Sequence, residues 1–464
     1  MDRLNPLDAL FVDAEDADPH TSMAIASIAV FEGPAPAQEE VLAHLAGRLP
    51  LVPRYRQKLR TVPLRLGRPV WADDPDFDLR YHVRRTALPA PGGDRELAEL
   101  MARVMSQRLD RDRPLWEYWV AEGLPEGRWA FISKVHHCMV DGVSGTDLYR
   151  VIFDFSPEPA PPAADDRLVS AEPSALQLAA AAALDAVMLP AREAAALWHG
   201  AADPAAAIRQ VAELTRAVAK LAPAARPATG SSLSGHIGRQ RRYTWARASL
   251  EDVKTIRRRL GGTVNDVVLA AISGGFRALL LARGEQPGPH MVRSLVPVSV
   301  RAPGQENVYD NRVSALLADL PVHIADPVER LAAVRAGLQE LKTANEALAG
   351  QALTTVGRYT PFPFASWWVR LAFGLPQRDI VTVTTNVPGP QQPLYGMGRR
   401  ALEIIPYVPI ATTLRTGVSI FTYDGRVTFG ITGDFAANPD LEVLARGIED
   451  ALADLLKAAR PPAS

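Results

Sequence analysis

The chain has 464 residues, 47% of them hydrophobic, which is enough for a sizeable core and for two or three domains. Lys and Arg number 51 against 52 Asp and Glu, a net charge of -1, so the basic excess of a nucleic-acid-coating protein is missing. Cys138 is the only cysteine, which excludes an internal disulfide and makes a reducing cytosol the expected home.

Along the chain, the opening Met1-Asp2-Arg3-Leu4-Asn5-Pro6 lacks the basic start and apolar run of a secretory signal. Met23–Phe31 reads as a buried strand and Gln38–Leu49 as a helix. Glu96–Leu109 is amphipathic at helical spacing, with Leu97, Leu100, Met101, Val104 and Met105 on one face. Trp116–Ala121 and Trp129–Val135 read as strands, and the chain turns helical after Gly145. Residues 157–173 are rich in Pro, Ala and Asp and suit a loop. Ser174 is placed to cap a helix over 175–189, which Pro190 interrupts, and a second helix is expected over 204–221. Pro, Gly and Ser return at 223–235. The longest uninterrupted apolar stretch here, Leu178–Leu184, falls short of the roughly 20 residues of a membrane span, so membrane contact is expected to be peripheral.

The second half is again mixed. Leu250–Leu260 and Val328–Lys342 read as helices, and Asn265–Ala282 as a long buried helix, apolar almost all round. Val292–Val300, Ile380–Thr385 and the segment from Leu402 to Ile410 read as strands. Val418–Tyr423 and Arg426–Ile431 flank Asp424-Gly425, a strong hairpin-turn pair, and a closing helix covers 440–457.

The chemistry concentrates in His136-His137-Cys138-Met139-Val140-Asp141-Gly142. It follows an apolar strand and precedes a glycine-containing turn into a helix. A histidine at a strand end can face a cleft while its backbone stays anchored. Its neutral ring, with an ordinary pKa of about 6.5, can accept a proton at pH 7. A base so placed is worth roughly 10²–10⁴ in rate. Asp141 can fix the loop through a cation, and Gly142 permits a tight backbone path. Trp116 reads equally as a core aromatic or a substrate wall. Asn265 reads by itself as a helix N-cap, and Asn386 as a turn residue before Pro388. No CxxC, HExxH, GxSxG or P-loop is present, so no metal site, serine-hydrolase elbow or nucleotide cradle is expected. Gly396-Met397-Gly398-Arg399-Arg400-Ala401 has the letters of a dinucleotide fingerprint but precedes a strand-like segment, the wrong context.

The HHxxxDG block resembles that of acyltransferases related to chloramphenicol acetyltransferase. Further blocks narrow the likeness. They are Pro6-Leu7-Asp8-Ala9-Leu10-Phe11 with Glu15, Asp76-Phe77-Asp78-Leu79 with His82-Val83, and Pro114-Leu115-Trp116-Glu117. Asn265-Asp266, Ser294–Arg301, Asn311-Arg312-Val313-Ser314 and Asn386-Val387-Pro388-Gly389-Pro390 complete the set. Together they resemble the bacterial wax ester synthase/diacylglycerol acyltransferase family, with the actinobacterial triacylglycerol-synthase branch nearest. The likeness spans almost the whole chain.

That resemblance implies an α/β fold of two chloramphenicol-acetyltransferase-like domains. One covers 1–160 and carries the histidines, the other covers 236–464, and a helical linker over 161–235 joins them. It implies direct transfer of a long-chain acyl group from acyl-CoA, a substrate rather than a cofactor, to diacylglycerol or a fatty alcohol. His137 resembles the general base and His136 a support. Asp141 resembles a geometric support held by an arginine such as Arg301 or Arg312. Asn265, Asp266, Thr385 and Asn386 resemble supporting positions, with Asn265 and the Thr385-Asn386 pair as oxyanion donors. A lipid product implies a cytoplasmic protein held peripherally at the inner membrane or at lipid droplets. Arg239, Arg241 and Arg242 read as a solvated linker end before CoA-phosphate contacts. Helix 204–221, with Arg209, Arg216 and Lys220, reads as packed on the domains before lying on lipid. Two other readings stand beside this one: a condensation-type or polyketide acyltransferase with a carrier-bound donor, and a non-catalytic acyl-CoA or lipid binder.

Overall fold

A computed structural model describes residues 2–63, 66–139, 152–165, 170–184, 231–299, 313–349 and 380–460. The expected helix over 204–221, the start of the helix after Gly145, and Asp141, Gly142, Arg301 and Arg312 lie outside these residues.

Helix α1 (Pro6–Ala17) opens the chain after a two-residue strand, β1 (Asp2–Arg3). Strand β2 (Ala24–Phe31) and helix α2 (Gln38–Arg48) follow. Strands β3 (Gln57–Arg60) and β4 (Val70–Asp73) join β1 in a small sheet of order β1-β4-β3. Next come β5 (Val83–Ala87), α3 (Asp94–Met105), β6 (Trp116–Glu122) and β7 (Trp129–His136). Helix α4 (Ala175–Leu184) lays Leu178 and Ala182 on Val62 and Val70, closing a small core over the three-stranded sheet.

The second half begins with β8 (Arg241–Ser249), α5 (Leu250–Leu260) and α6 (Val264–Ala282). Strands β9 (Val292–Ser299) and β10 (Val313–Leu320) precede α7 (Pro327–Ala349). Strands β11 (Thr382–Pro388), β12 (Tyr395–Gly396), β13 (Arg399–Tyr407), β14 (Thr416–Tyr423) and β15 (Arg426–Asp434) lead to α8 (Leu441–Ala459). The β14–β15 hairpin turns on Asp424 and Gly425 at φ 43° and 79°, the left-handed pair that a tight two-residue turn requires.

Two six-stranded mixed sheets dominate. One has the order β12-β13-β2-β7-β6-β5, the other β10-β9-β11-β14-β15-β8. Strands β12 and β13 come from the C-terminal half, yet β13 pairs antiparallel with β2, from Ala401 opposite Phe31 to Tyr407 opposite Ala26. The expected boundary near residue 235 therefore divides the sequence but not the sheets. Tyr243, Trp245, Phe421 and Tyr423 also pack into the core of the first half.

Helix α6 is the core of the second half. Val267, Val268, Leu269, Ile272, Phe276, Leu279 and Leu280 are fully buried. Each such side chain contributes about 1.5–3 kcal/mol of burial before entropy. By length and composition α6 could cross a bilayer, but here it packs among α8, α7, α5 and its own sheet.

Candidate active site

Both neighbours of β7 fix its end. The His136 N–H donates to Leu115 O (2.9 Å), and the His137 N–H donates to Met23 O (3.0 Å). Ala24 lies opposite His136, and Trp116 opposite Val135. The chain then tightens into a short 3₁₀ turn, His137–Met139. The apolar run of β7 thus carries two histidines to a strand end where the backbone is held on both sides.

His136 points into the core and is 1% exposed. The Cys138 N–H donates to its Nδ1 (3.2 Å), and Cys138 Sγ lies 2.9 Å from the same nitrogen. With Nδ1 accepting, the ring proton sits on Nε2. Nε2 faces Glu15 Oε2 at 3.7 Å, an electrostatic contact beyond hydrogen-bond length. Burial, followed by Asp8, pushes the Cys138 thiol well above its ordinary range, so it stays protonated and is no nucleophile.

His137 is only partly buried. Its ring stacks on Phe11, with centroids 3.9 Å apart and planes at 27°. Nδ1 is buried without a hydrogen-bond partner among the described residues. Burial, and secondarily His136, lowers the pKa from 6.5 to about 4. The ring is therefore neutral at pH 7, with a lone pair ready for a proton.

Helix α1 backs this loop. Phe11 and Glu15 are one turn apart and so share a face. Phe11 meets His137, and Glu15 meets His136. Glu15 also accepts the Met23 N–H at Oε1 (3.0 Å) and the Arg111 guanidinium at Oε2 (2.7 and 3.2 Å). Burial alone raises the Glu15 pKa, but His136, Arg111 and the Met23 N–H outweigh it and hold the carboxyl at about 2. Arg108 ties the end of α1 to the next turn through the carbonyls of Glu15 (2.6 Å) and Thr21 (2.9 Å). On β7, the buried Lys134 donates to Val104 O (2.9 Å) and Gln107 O (2.6 Å), which anchors the segment carrying both arginines. Burial lowers the Lys134 pKa to about 8.

Pro114-Leu115-Trp116 works from behind. Leu115 supplies the carbonyl that receives His136. Trp116 is 1% exposed, stacks on His82 and Tyr55, and donates from Nε1 to Tyr55 O (2.9 Å). It is a core aromatic, not a substrate wall. Asn265 and Asn386, far apart in sequence, meet: Asn386 Nδ2 donates to Asn265 Oδ1 (3.2 Å). The cap of α6 is Thr263, not Asn265. Thr263 Oγ1 receives the Asp266 N–H, and Asp266 Oδ2 receives the Thr263 N–H (2.7 Å), a capping box. Asp266 is thereby committed to the helix end, and Asn265 is left to face Asn386. Thr385 precedes Asn386 on β11, opposite Ser419. No hydrogen bond among the described residues links this pair to His137.

Arg241 corrects the linker-end reading. It opens β8, is 4% exposed, and donates to His20 O (2.5 Å) and Gly238 O (2.6 Å), while its N–H donates to Ser106 Oγ (2.9 Å). It joins the two halves beside the α1–β2 turn. A cavity of about 460 Å³ lies where the two sheets meet, between Arg247 on β8, Glu403 on β13 and Arg426 on β15, and shares no residue with the histidine loop. Among the described residues no three His, Cys, Asp or Glu side chains converge as metal ligands.

Sequence reasoning found the histidines but gave Phe11 no role, named Glu15 only as part of a motif, and passed over Arg111. The i, i+4 pairing of Phe11 and Glu15 on an amphipathic segment was the available signal.

The whole arrangement matches known proteins. Residues 4–268 match the model of the wax ester synthase/diacylglycerol acyltransferase catalytic domain, and 309–456 that of the WS/DGAT C-terminal domain. Proteins of Mycobacterium tuberculosis and Mycobacterium bovis that carry the name diacylglycerol O-acyltransferase are each 44% identical over 457 residues, covering 98% of this chain and 96% of theirs. A wax ester synthase/diacylglycerol acyltransferase from Marinobacter aquaeolei superposes with a TM-score of 0.70 at 27% identity, covering 99% of this chain and 100% of its own. The starter condensation domain of a rhizomide synthetase shares the fold at 18% identity and a TM-score of 0.57, covering 99% and 95% of the two chains. This chain belongs to the wax ester synthase/diacylglycerol acyltransferase family.

Proposed function

We propose that this protein transfers a long-chain acyl group from acyl-CoA to the hydroxyl of diacylglycerol, forming triacylglycerol, and that fatty alcohols serve as second acceptors giving wax esters. The observation that carries the reading is His137: a neutral, partly accessible imidazole at a strand end, stacked on Phe11, in a chain of this family. The 44% identity to the mycobacterial relatives over nearly the full length favours diacylglycerol as the main acceptor.

In this reading Nε2 of His137 takes the acceptor hydroxyl proton, since Nδ1 is buried. The hydroxyl oxygen bonds to the thioester carbonyl carbon and charge moves to the carbonyl oxygen. That oxyanion collapses, the C–S bond breaks, and the imidazolium returns its proton to the departing CoA thiolate. No acyl-enzyme forms. The Asn265–Asn386 pair fits the role of oxyanion donor, because Asn386 fixes the Asn265 oxygen and no hydrogen bond among the described residues engages the Asn265 NH₂. A product this apolar implies work at a membrane or lipid-droplet surface on the cytoplasmic side.

The test gives purified protein palmitoyl-CoA with either diolein or hexadecanol and follows CoA release and lipid product. Faster triacylglycerol than wax ester formation supports the reading. Activity with neither acceptor overturns it.

A further inference from the structure

A buried carboxylate, Glu15, lies behind the two histidines. Glu15 is 2% exposed, and every group its oxygens are seen to meet is a donor or a cation: the Met23 N–H, the Arg111 guanidinium and the proton-bearing edge of His136. Met23 donates its N–H to Glu15 and, from the next peptide group, accepts the His137 N–H at its carbonyl, so one residue is held at one end by Glu15 and holds His137 at the other. Two short routes therefore run from one carboxylate to the base. One passes through His136 and Cys138, the other through Met23. The same helix face supplies Phe11 under the His137 ring.

We propose that Glu15 is a positioning residue for acyl transfer, holding His136 in the tautomer that the Cys138 N–H also favours and fixing Met23, whose carbonyl aims His137. The proposal rests on His137 being the base. A carboxylate suits the place because both of its oxygens accept. An isosteric glutamine must turn its NH₂ toward either the Met23 N–H or the Arg111 and His136 donors, setting donor against donor. It occupies the same volume but cannot satisfy both sides.

The full-length Glu15→Gln protein should lose about 10- to 100-fold in kcat, with KM for palmitoyl-CoA and diolein within about threefold of wild type. Glu15→Asp, which keeps the charge but is one methylene short, should fall between the two. In ¹⁵N-histidine spectra, with His136 assigned through His136→Gln, wild-type His136 should carry its proton on Nε2, and Glu15→Gln should lose that single tautomer. A wild-type His136 protonated on Nδ1 overturns the proposal, and so does a Glu15→Gln kcat within about twofold of wild type. If Glu15→Gln does not fold, the wild-type spectrum and Glu15→Asp decide. The spectrum needs no turnover, so it stands apart from any failure of the His137 assignment, which His137→Ala tests separately.

Discussion

At the residue scale, the pKa of His137 is the most consequential quantity. Burial holds it at about 4, against 6.5 for a free imidazole. A base must be unprotonated to act, so activity should survive acidification further than an ordinary histidine allows. The kcat/KM profile for diolein should stay flat from pH 7 down to about 5 and fall only below that. An acid limb near 6.5 would show a solvated ring in the working enzyme. The two histidines were legible in the sequence because a strand followed by HHxxxDG is a local pattern. Their supports were not. Glu15 and Arg111 reach the histidines only through folding, and nothing local distinguishes Trp116 in a core from Trp116 in a cleft. Asn265 was open between cap and site until Thr263 proved to be the cap.

At the element scale, helices and strands with strong periodicity were read nearly as they stand, including the Asp424-Gly425 hairpin. Strand β8 was missed because Arg239, Arg241 and Arg242 looked like solvated linker. The alternation of Arg241, Tyr243 and Trp245, all buried, was the overlooked two-residue period. Helix α1 was missed as a helix altogether. The crossing of α6 and α8 was beyond sequence reading, since it depends on glycines from both helices. A Cβ at Gly275 would lie 2.7 Å from Ile448 Cγ1 and 2.9 Å from Leu444 O, and one at Gly447 2.9 Å from Gly275 Cα. Gly275→Ala should therefore cost about 1–3 kcal/mol by forcing the helices apart, seen as a lower urea midpoint with KM unchanged. An unchanged midpoint would mean that the helices separate freely.

At the scale of the whole molecule, the two halves interlock. β13 completes the first sheet beside β2, and Arg241 reaches His20 across the junction. Arg247 adds a second clamp, holding Glu403 on β13 (2.7 and 2.8 Å) and Asp94 on α3 (2.5 Å). Pairing between strands so far apart in the chain leaves no local trace, which is why the sequence suggested two separate blocks. Residues 1–235 expressed alone would leave β2 as a bare apolar edge. That fragment should aggregate or lack a cooperative melt, by size-exclusion chromatography and circular dichroism. A soluble, cooperatively folded monomer would contradict the interlocked description.

The central claim is that His137 drives direct transfer to a lipid hydroxyl. The most direct test compares wild type with His137→Ala, each given palmitoyl-CoA and diolein, with triacylglycerol quantified against time. Wild type should form triacylglycerol only when diolein is present, and the folded variant should lose about 100-fold or more of that rate. Triacylglycerol formed by His137→Ala at the wild-type rate would contradict it.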